Sequence, residues 1–273
     1  MKKLVVIRGG GDIATGIACR LFQSGFNVII LEIEKPTVIR HTVALAQCLF
    51  TGVAEVEGVR AVRVNSAAEA KAELEEGRVP VLVDPEAATL KELNPDIVVD
   101  AILAKSNTGT TKDLAPIVIG VGPGFTAGVD VHAVVETQRG HHLGRVYYSG
   151  AALPNTGVPG EITGISEERV VRAPAEGCFK PVKTIGEMVQ KGEVLGSIGD
   201  IAVPAPISGM LRGLINQDVY VTRNMKIGDV DPRRDKDYCH LISDKARAVG
   251  GGVLEAILHL HYVKCSHHKS CFY

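Results

Sequence analysis

Tryptophan is absent from the 273 residues, and aromatic side chains make up only 4%. The chain has little material for base-stacking surfaces. It also lacks an excess of either charge, since 30 basic residues face 31 acidic ones for a net −1. A dedicated nucleic-acid binder needs a basic excess that is missing here. No apolar run approaches the ~18 residues that cross a bilayer. The run after the first lysines is only Leu4 to Ile7, too short for a signal peptide. The six cysteines are scattered, with no CxxC and no paired framework. These absences predict a reduced, cytoplasmic protein with no nucleic-acid or membrane partner.

What is present is a globular composition, 45% hydrophobic and 22% charged, with 30 glycines. The length suits two domains rather than one. Leu4 to Ile7 predicts a buried strand that enters a turn at Gly9-Gly10-Gly11. Ile13, Ile17 and Leu21 recur at helical spacing over 12–24, and Val28 to Leu31 is a second strand. A βαβ start of this kind implies a parallel sheet. Downstream, Val53 to Val64 predicts a hairpin, 67–76 a helix capped by Ser66, and 79–84 a strand. Further expectations are a short helix over 86–93, a strand over 96–104 and another over 116–121. Residues 1–160 thus read as a Rossmann-like α/β ligand-binding domain.

A glycine- and proline-rich stretch at 150–164 then suits a linker or surface loop. Beyond it the sequence matches itself at a shift of 32: Val171, Ala173, Pro174 and Gly177 fall on Val203, Ala205, Pro206 and Gly209. Val189, Leu195, Gly196 and Ile198 fall on Val221, Ile227, Gly228 and Val230. Such a repeat marks paired supersecondary units. Its APxxG pattern resembles the pseudo-twofold barrel-sandwich of lipoyl and biotinyl carrier domains, placed at 165–241. The hairpin that carries the modified lysine in those carriers falls here near Gly196 to Val203 and has no lysine. One or two closing helices are expected over 242–260, around Gly250-Gly251-Gly252, followed by a tail over 261–273.

Two glycine-rich segments are candidate ligand sites. Gly9, Gly10, Gly11, Asp12 and Ala14 fit GxGxxA between a strand and a helix, and Glu32 ends the next strand. That context is the dinucleotide fingerprint, in which backbone amides cradle a pyrophosphate and the acid binds a ribose hydroxyl. A carboxylate at Asp12 would repel a phosphate unless it faces away. A tight strand–helix turn without a ligand is the plain alternative. The second segment, Gly120 to Gly128, includes Gly122 and Gly124 and can form an anion nest. After it, Asp130, His132 and Glu136 share a face as a strand, and His132 and Glu136 are neighbours as a helix. With Arg139 and His141 they form the candidate catalytic cluster, whose alternative is a solvated, charge-paired strand face. Lys105 and Asn107 begin a loop after a strand and can reach the same ligand, or be ordinary loop residues. Asp100 inside its apolar strand needs a partner, with Lys105 and Arg8 the candidates. No zinc-ligand spacing is present, so no metal site is assigned. The Cys/His-rich end, with His259, His261, Cys265, His267, His268 and Cys271, reads as a tail.

Several blocks together resemble one family: VVIRGGGDIATGIACRL, EKPTVIR, DAILAKSNTGT, VIGVGPGFTAGVDVHAVVETQRGHHLGRV, PNTGVPG, KIGDVDPR and ISDKARAVGGGVLEAI. They resemble the YqeB-type family, accessory proteins of the selenium-dependent molybdenum hydroxylase system, over residues 4 to about 258. The motif positions here are Gly9, Gly10, Gly11, Asp12, Gly122, Gly124, Asp130, His132, Glu136, Arg139, Gly140 and His141. Two places depart from the pattern: His41 follows Arg40 where a second basic residue is expected, and the tail after Leu258 lies outside it. The resemblance implies a bacterial factor in maturation of xanthine dehydrogenase-type hydroxylases, handling molybdopterin dinucleotide, another dinucleotide or the selenium ligand. It implies the hydroxylase apoenzyme or its cofactor-assembly proteins as partners, with self-association left open. An NAD(P)-dependent oxidoreductase using His132 as acid/base, and a docking scaffold, are the alternatives. Cys19 and Cys48 read as buried, and Cys178 and Cys239 as the more exposed thiols.

Overall fold

Short β-branched runs become strands wherever both faces of a sheet are covered. In the computed structural model, which describes residues 2–157, 160–217 and 219–269, the first such run is β1 (Leu4–Arg8). It is followed by α1 (Asp12–Gln23), β2 (Asn27–Glu32) and a one-turn α2 (Cys48–Thr51). The expected hairpin is β3 (Val53–Val56) and β4 (Val59–Val64), turning at Glu57 and Gly58, both at positive φ. Then come α3 (Ala67–Glu75), β5 (Val79–Val83), α4 (Leu90–Leu93), β6 (Ile97–Asp100) and β7 (Ile117–Val121). Ser66 caps α3, its hydroxyl accepting the Glu69 N–H at 3.1 Å.

Two elements are shorter than expected. The 86–93 helix is reduced to α4 because the Asp84 carboxylate binds the amides of Ala88 and Thr89 and holds a turn there. The 96–104 strand stops at Asp100, because Leu103 and Lys105 take positive φ and the chain turns away. The polar segment after β7 forms only small pieces: β8 (Thr126–Ala127), β9 (Ala133–Val135), β10 (Val146–Tyr147) and β11 (Gly150–Ala151).

The main sheet has nine strands in the order β10-β9-β7-β6-β1-β2-β5-β4-β3. All neighbours from β9 to β4 run parallel, and only the edge strands β10 and β3 are antiparallel. The order reverses between β1 and β6, the place where open α/β sheets bind ligands beyond their strand ends. Residue alternation assigns the two faces. Val5, Ile7 and Val99 join one core with Ile13, Ile17 and Leu21 of α1, and Val6, Ile29 and Val98 join the other with α3 and α4.

The repeat contributes β12 (Val170–Arg172), β13 (Gly177–Pro181), β14 (Met188–Val189) and β15 (Val194–Ile198). Its second copy contributes β16 (Ile201–Pro204), β17 (Gly209–Leu214), β18 (Tyr220–Val221) and β19 (Lys226–Asp231). They form two four-stranded sheets, β12-β19-β17-β14 and β16-β15-β13-β18, that exchange under the repeat. Val171, Val189, Leu195 and Ile198 and their repeat mates Val203, Val221, Ile227 and Val230 share one core.

A single helix, α5 (Asp244–Lys269), ends the described chain. It is one helix through all three glycines, and its backbone continues past 260 into the segment expected as a tail. Ala246, Val249, Val253 and Ile257 of α5 pack with α1 in the α/β core. A Cβ on Gly250 would lie 2.8 Å from the Gly16 carbonyl oxygen, so these helices touch backbone to backbone. The side chains of Cys265, His267 and His268, and all of Cys271, lie outside the described residues. Among the described residues no helix is long and apolar enough to cross a membrane.

Candidate functional site

The first turn of the molecule sets the floor of the site. Gly9 has φ +96°, and a Cβ there would lie 2.8 Å from the Ala101 carbonyl oxygen. Gly10 is equally fixed, because its Cβ would meet the Ala46 methyl at 2.8 Å. Both glycines are explained by packing. Gly11 is different: its φ is −69°, and a Cβ would make an ordinary 3.5 Å contact with Val38. Nothing in the protein itself requires glycine there.

The two acids of the fingerprint bind the loop itself. Glu32 accepts the Gly10 N–H through Oε2 and its neighbour Ile33's N–H through Oε1, each at 2.8 Å. Burial raises the Glu32 carboxyl pKa, and these two amides oppose the rise. Asp12 does not face away. Its Oδ1 accepts the Ile13 N–H at 2.9 Å, and its Oδ2 takes Nη1 of Arg40 at 3.2 Å. The helix N-terminus therefore already holds a carboxylate of its own.

Around this floor stands a cationic wall. A cleft of about 650 Å³ is lined by Gly9, Gly11, Asp12, Ala14 and Glu32 of the α/β domain, by Arg169, Arg212, Lys226 and Asp229 of the chain around the repeat, by Lys245 of α5, and by Arg40 and Arg139. Six basic side chains meet three acidic ones. Arg40 also donates to the carbonyls of Tyr238 and Leu241, at 3.0 and 3.1 Å, which ties α1 to the chain after β19. Arg169 pairs with Asp229 and donates to the Gly160 carbonyl at 2.9 Å. Both arginines are 6% exposed, and the Nε of each is buried without a hydrogen-bond partner. An orphaned buried donor is costly and marks a place for a ligand or water. The side-chain ammoniums of Lys226 and Lys245 make no hydrogen bond or ion pair with any described residue. Burial lowers the pKa of both, and Asp12 acts against that lowering in each. The Asp12 carboxylate thus bonds Arg40 and acts electrostatically on Lys226 and Lys245.

The second expected cluster does not assemble. His132 lies before β9, at the amino end of the sheet, where its Nδ1 accepts the Val118 N–H at 3.0 Å. Asp130 sits in the adjoining turn and accepts the Thr126 N–H at 2.8 Å. Glu136 follows β9 at the other end, fully buried, and binds the amides of Thr137, Gln138 and Leu153 at 2.7, 2.7 and 2.8 Å. His132 and Glu136 are therefore separated by the whole of β9, because the segment is neither a full strand nor a helix. Arg139 reaches the cleft but pairs with Asp244 through both terminal nitrogens, at 2.8 and 3.0 Å. His141 is exposed and lines no cleft wall.

Gly122 and Gly124 both have structural reasons to be glycine, and the N–H of Gly122 is not free for an anion. The Gly122 N–H is used by the Val135 carbonyl at 2.8 Å, and a Cβ on Gly124 would meet the Ser106 backbone at 2.8 Å. Asn107 closes its own loop, binding the amides of Gly109 and Thr110 and the Thr110 carbonyl. Lys105 is exposed and outside the cleft. The partner of Asp100 is Arg8, at 3.4 Å, together with the Thr110 hydroxyl at 2.5 Å. Cys178 is exposed, while Cys239 is buried against the Leu211 carbonyl, opposite to the expectation. Cys19 and Cys48 are buried, and burial pushes both thiols up to about 12. Among the described residues no group of three or more His, Cys, Asp or Glu side chains is placed to hold a metal ion.

Fold and cleft together define an α/β protein with a cationic cleft at a sheet reversal. Over 258 residues the chain is 55% identical to the "Uncharacterized protein YqeB" of Escherichia coli (strain K12), covering 94% of this chain and 48% of that protein. The chain thus spans about half the length of the curated relative it matches. The likeness supports the YqeB-type family and is silent on the hydroxylase link. No protein-family profile matches. Solved structures give weaker likenesses. A succinylglutamate desuccinylase/aspartoacylase from Rhodobacter sphaeroides is 26% identical over 23% of this chain and 22% of its own, with a TM-score of 0.22. An aspartoacylase family protein from Mesorhizobium loti is 8% identical over 84% of this chain and 85% of its own, with a TM-score of 0.25. At these scores neither likeness bears on the fold or the chemistry.

Proposed function

We propose that the chain is an accessory protein that handles an anionic, nucleotide-type ligand in the cleft, in the maturation of selenium-dependent molybdenum hydroxylases. Molybdopterin dinucleotide is the ligand class this reading favours. The Gly9–Glu32 unit acts as a Rossmann-like floor, and the repeat acts as a barrel-sandwich without a modified lysine. The hydroxylase apoenzyme or its assembly proteins receive the ligand, in the cytoplasm. One observation carries the reading: Gly11 faces an electropositive cleft at the sheet reversal, and beyond its place as the N-cap of α1 no packing or backbone strain is the reason it is a glycine. Close approach of a ligand to the backbone supplies that reason. The geometry gives a nicotinamide oxidoreductase less support, because its acid/base candidate His132 lies at the wrong end of the sheet.

The test is native mass spectrometry of protein purified anaerobically from cells making molybdenum cofactor, with molybdenum and selenium assayed on the same sample. The wild type is expected to carry an adduct of dinucleotide mass. The Gly11→Ala variant, which the fold accommodates, is expected to lose it. A clean apo mass in the wild type, or an adduct unchanged in Gly11→Ala, would overturn the proposal.

A further inference from the structure

A dinucleotide fingerprint normally places the pyrophosphate on the glycine loop and the helix N-terminus. That place is obstructed here. Two of the loop amides, those of Gly10 and Ile13, are taken by Glu32 and Asp12. The Asp12 carboxylate occupies the first turn of α1 and would repel a phosphate. The unmet donors are instead on the surrounding cations. They are the buried Nε atoms of Arg40 and Arg169 and the unpaired ammoniums of Lys226 and Lys245.

We propose that Arg40, Arg169, Lys226 and Lys245 form a phosphate subsite for a pyrophosphate-class anion, with Asp12 holding its place until the anion arrives. The inference deepens the nucleotide-type reading of this cleft and rests on it. Asp12 already bonds Arg40 and is the one acid whose charge both lysines feel. An arriving phosphate competes for the same cations with more charge and more acceptor oxygens. Arg40 then exchanges one charge-assisted bond for another, while the lysines gain the partner they lack. The uncharged body of the ligand lies across Gly11, clear of these cations. Asp229 completes the wall by fixing Arg169 and Arg212, with Arg212 Nη1 at 3.5 Å.

Titration calorimetry with inorganic pyrophosphate tests this. The wild type is expected to bind, with affinity falling as salt rises. Lys226→Gln and Lys245→Gln are each expected to weaken binding about tenfold or more, the size of a lost charge-assisted bond. Lys226→Arg is expected to keep most of it, which separates a charge role from misfolding. Asp12→Asn is expected to tighten binding. Binding indifferent to both lysine variants, weakening in Asp12→Asn, or no binding at all would overturn the subsite. The outcomes also separate the two proposals. Pyrophosphate bound through the lysines, with no dinucleotide adduct in native mass spectrometry, keeps the subsite and overturns the nucleotide reading. An adduct lost in Gly11→Ala but untouched by Lys226→Gln keeps the reading and overturns the subsite.

Discussion

At the scale of residues, several acids that resemble catalytic groups are structural. Glu136 satisfies three main-chain N–H groups from a fully buried position. Its replacement by alanine would strand these donors away from water. Each stranded donor costs about 1–3 kcal/mol, so a loss of about 3 kcal/mol or more is expected for Glu136→Ala in urea unfolding. Glu136→Gln should recover part of it, since one oxygen still accepts. If Glu136 were a catalytic base instead, the alanine variant would keep its stability. Asp244 behaves differently because it is exposed. Hydrogen bonds from Arg139 lower its carboxyl from 3.8 to about 2. A carboxyl depressed in the folded state stabilises fully above its unfolded pKa and loses that contribution as pH falls toward the folded value. The wild type should therefore lose more stability between about pH 4 and pH 2 than Asp244→Asn does. Unfolding midpoints across that window, compared between the two proteins, check the sign.

At the scale of elements, apolar periodicity was readable and polar segments were not. β1, α1, β2, α3, β5 and β7 follow from short buried runs, helical spacing and a Ser66 cap. The segment from Gly122 to Ala152 did not follow, because its order comes from side chains bonding the main chain. The His132 ring binds β7, and the Glu136 carboxylate binds its own turn. Alternation in VDVHAVVET carried no information about either. The cationic wall was equally hidden. Arg169, Arg212, Lys226 and Lys245 are far apart in sequence; Lys226 and Lys245 lay inside the motif blocks KIGDVDPR and ISDKARAVGGG, and Arg169 and Arg212 in none. The three glycines of α5 show how unequal such residues are. Gly250 abuts Gly16 of α1 and Gly252 abuts Gly144, whereas a Cβ on Gly251 meets nothing within 4 Å. Gly251→Ala should therefore gain up to about 1 kcal/mol of helix propensity. Gly250→Ala should instead lose about 1–3 kcal/mol by overpacking. Thermal melting of the two variants should move in opposite directions, and a shared direction would refute backbone-to-backbone docking of α1 on α5.

At the scale of the whole molecule, the repeat and the sheet meet around the cleft, and the meeting depends on how the repeat is built. The first copy has only one ladder of its own, β13 with β15, and the second only β17 with β19. Every other pairing crosses between copies: β12 with β19, β14 with β17, β13 with β18 and β15 with β16. Sequence self-similarity announced two equal units, but only the pairing shows that they interlock. Lys226 and Asp229, in the second copy, therefore owe their place beside Arg169 to β12 of the first. The second copy is held to the sheet side by the paired amides of Gln47 and Asn216, at 2.9 and 3.3 Å, and by Arg40. A fragment spanning 165–199 keeps one two-stranded ladder and half of a shared core, below what an isolated hairpin needs in water. It should show no cooperative unfolding and no dispersed amide resonances. In the intact chain, Val171→Ala should remove core contacts from both copies at once. Its unfolding should remain one transition at a lower midpoint, with pyrophosphate affinity falling alongside it. Two separated transitions, only one of them shifted, would mean that the copies fold independently and that the cationic wall does not depend on their interlock.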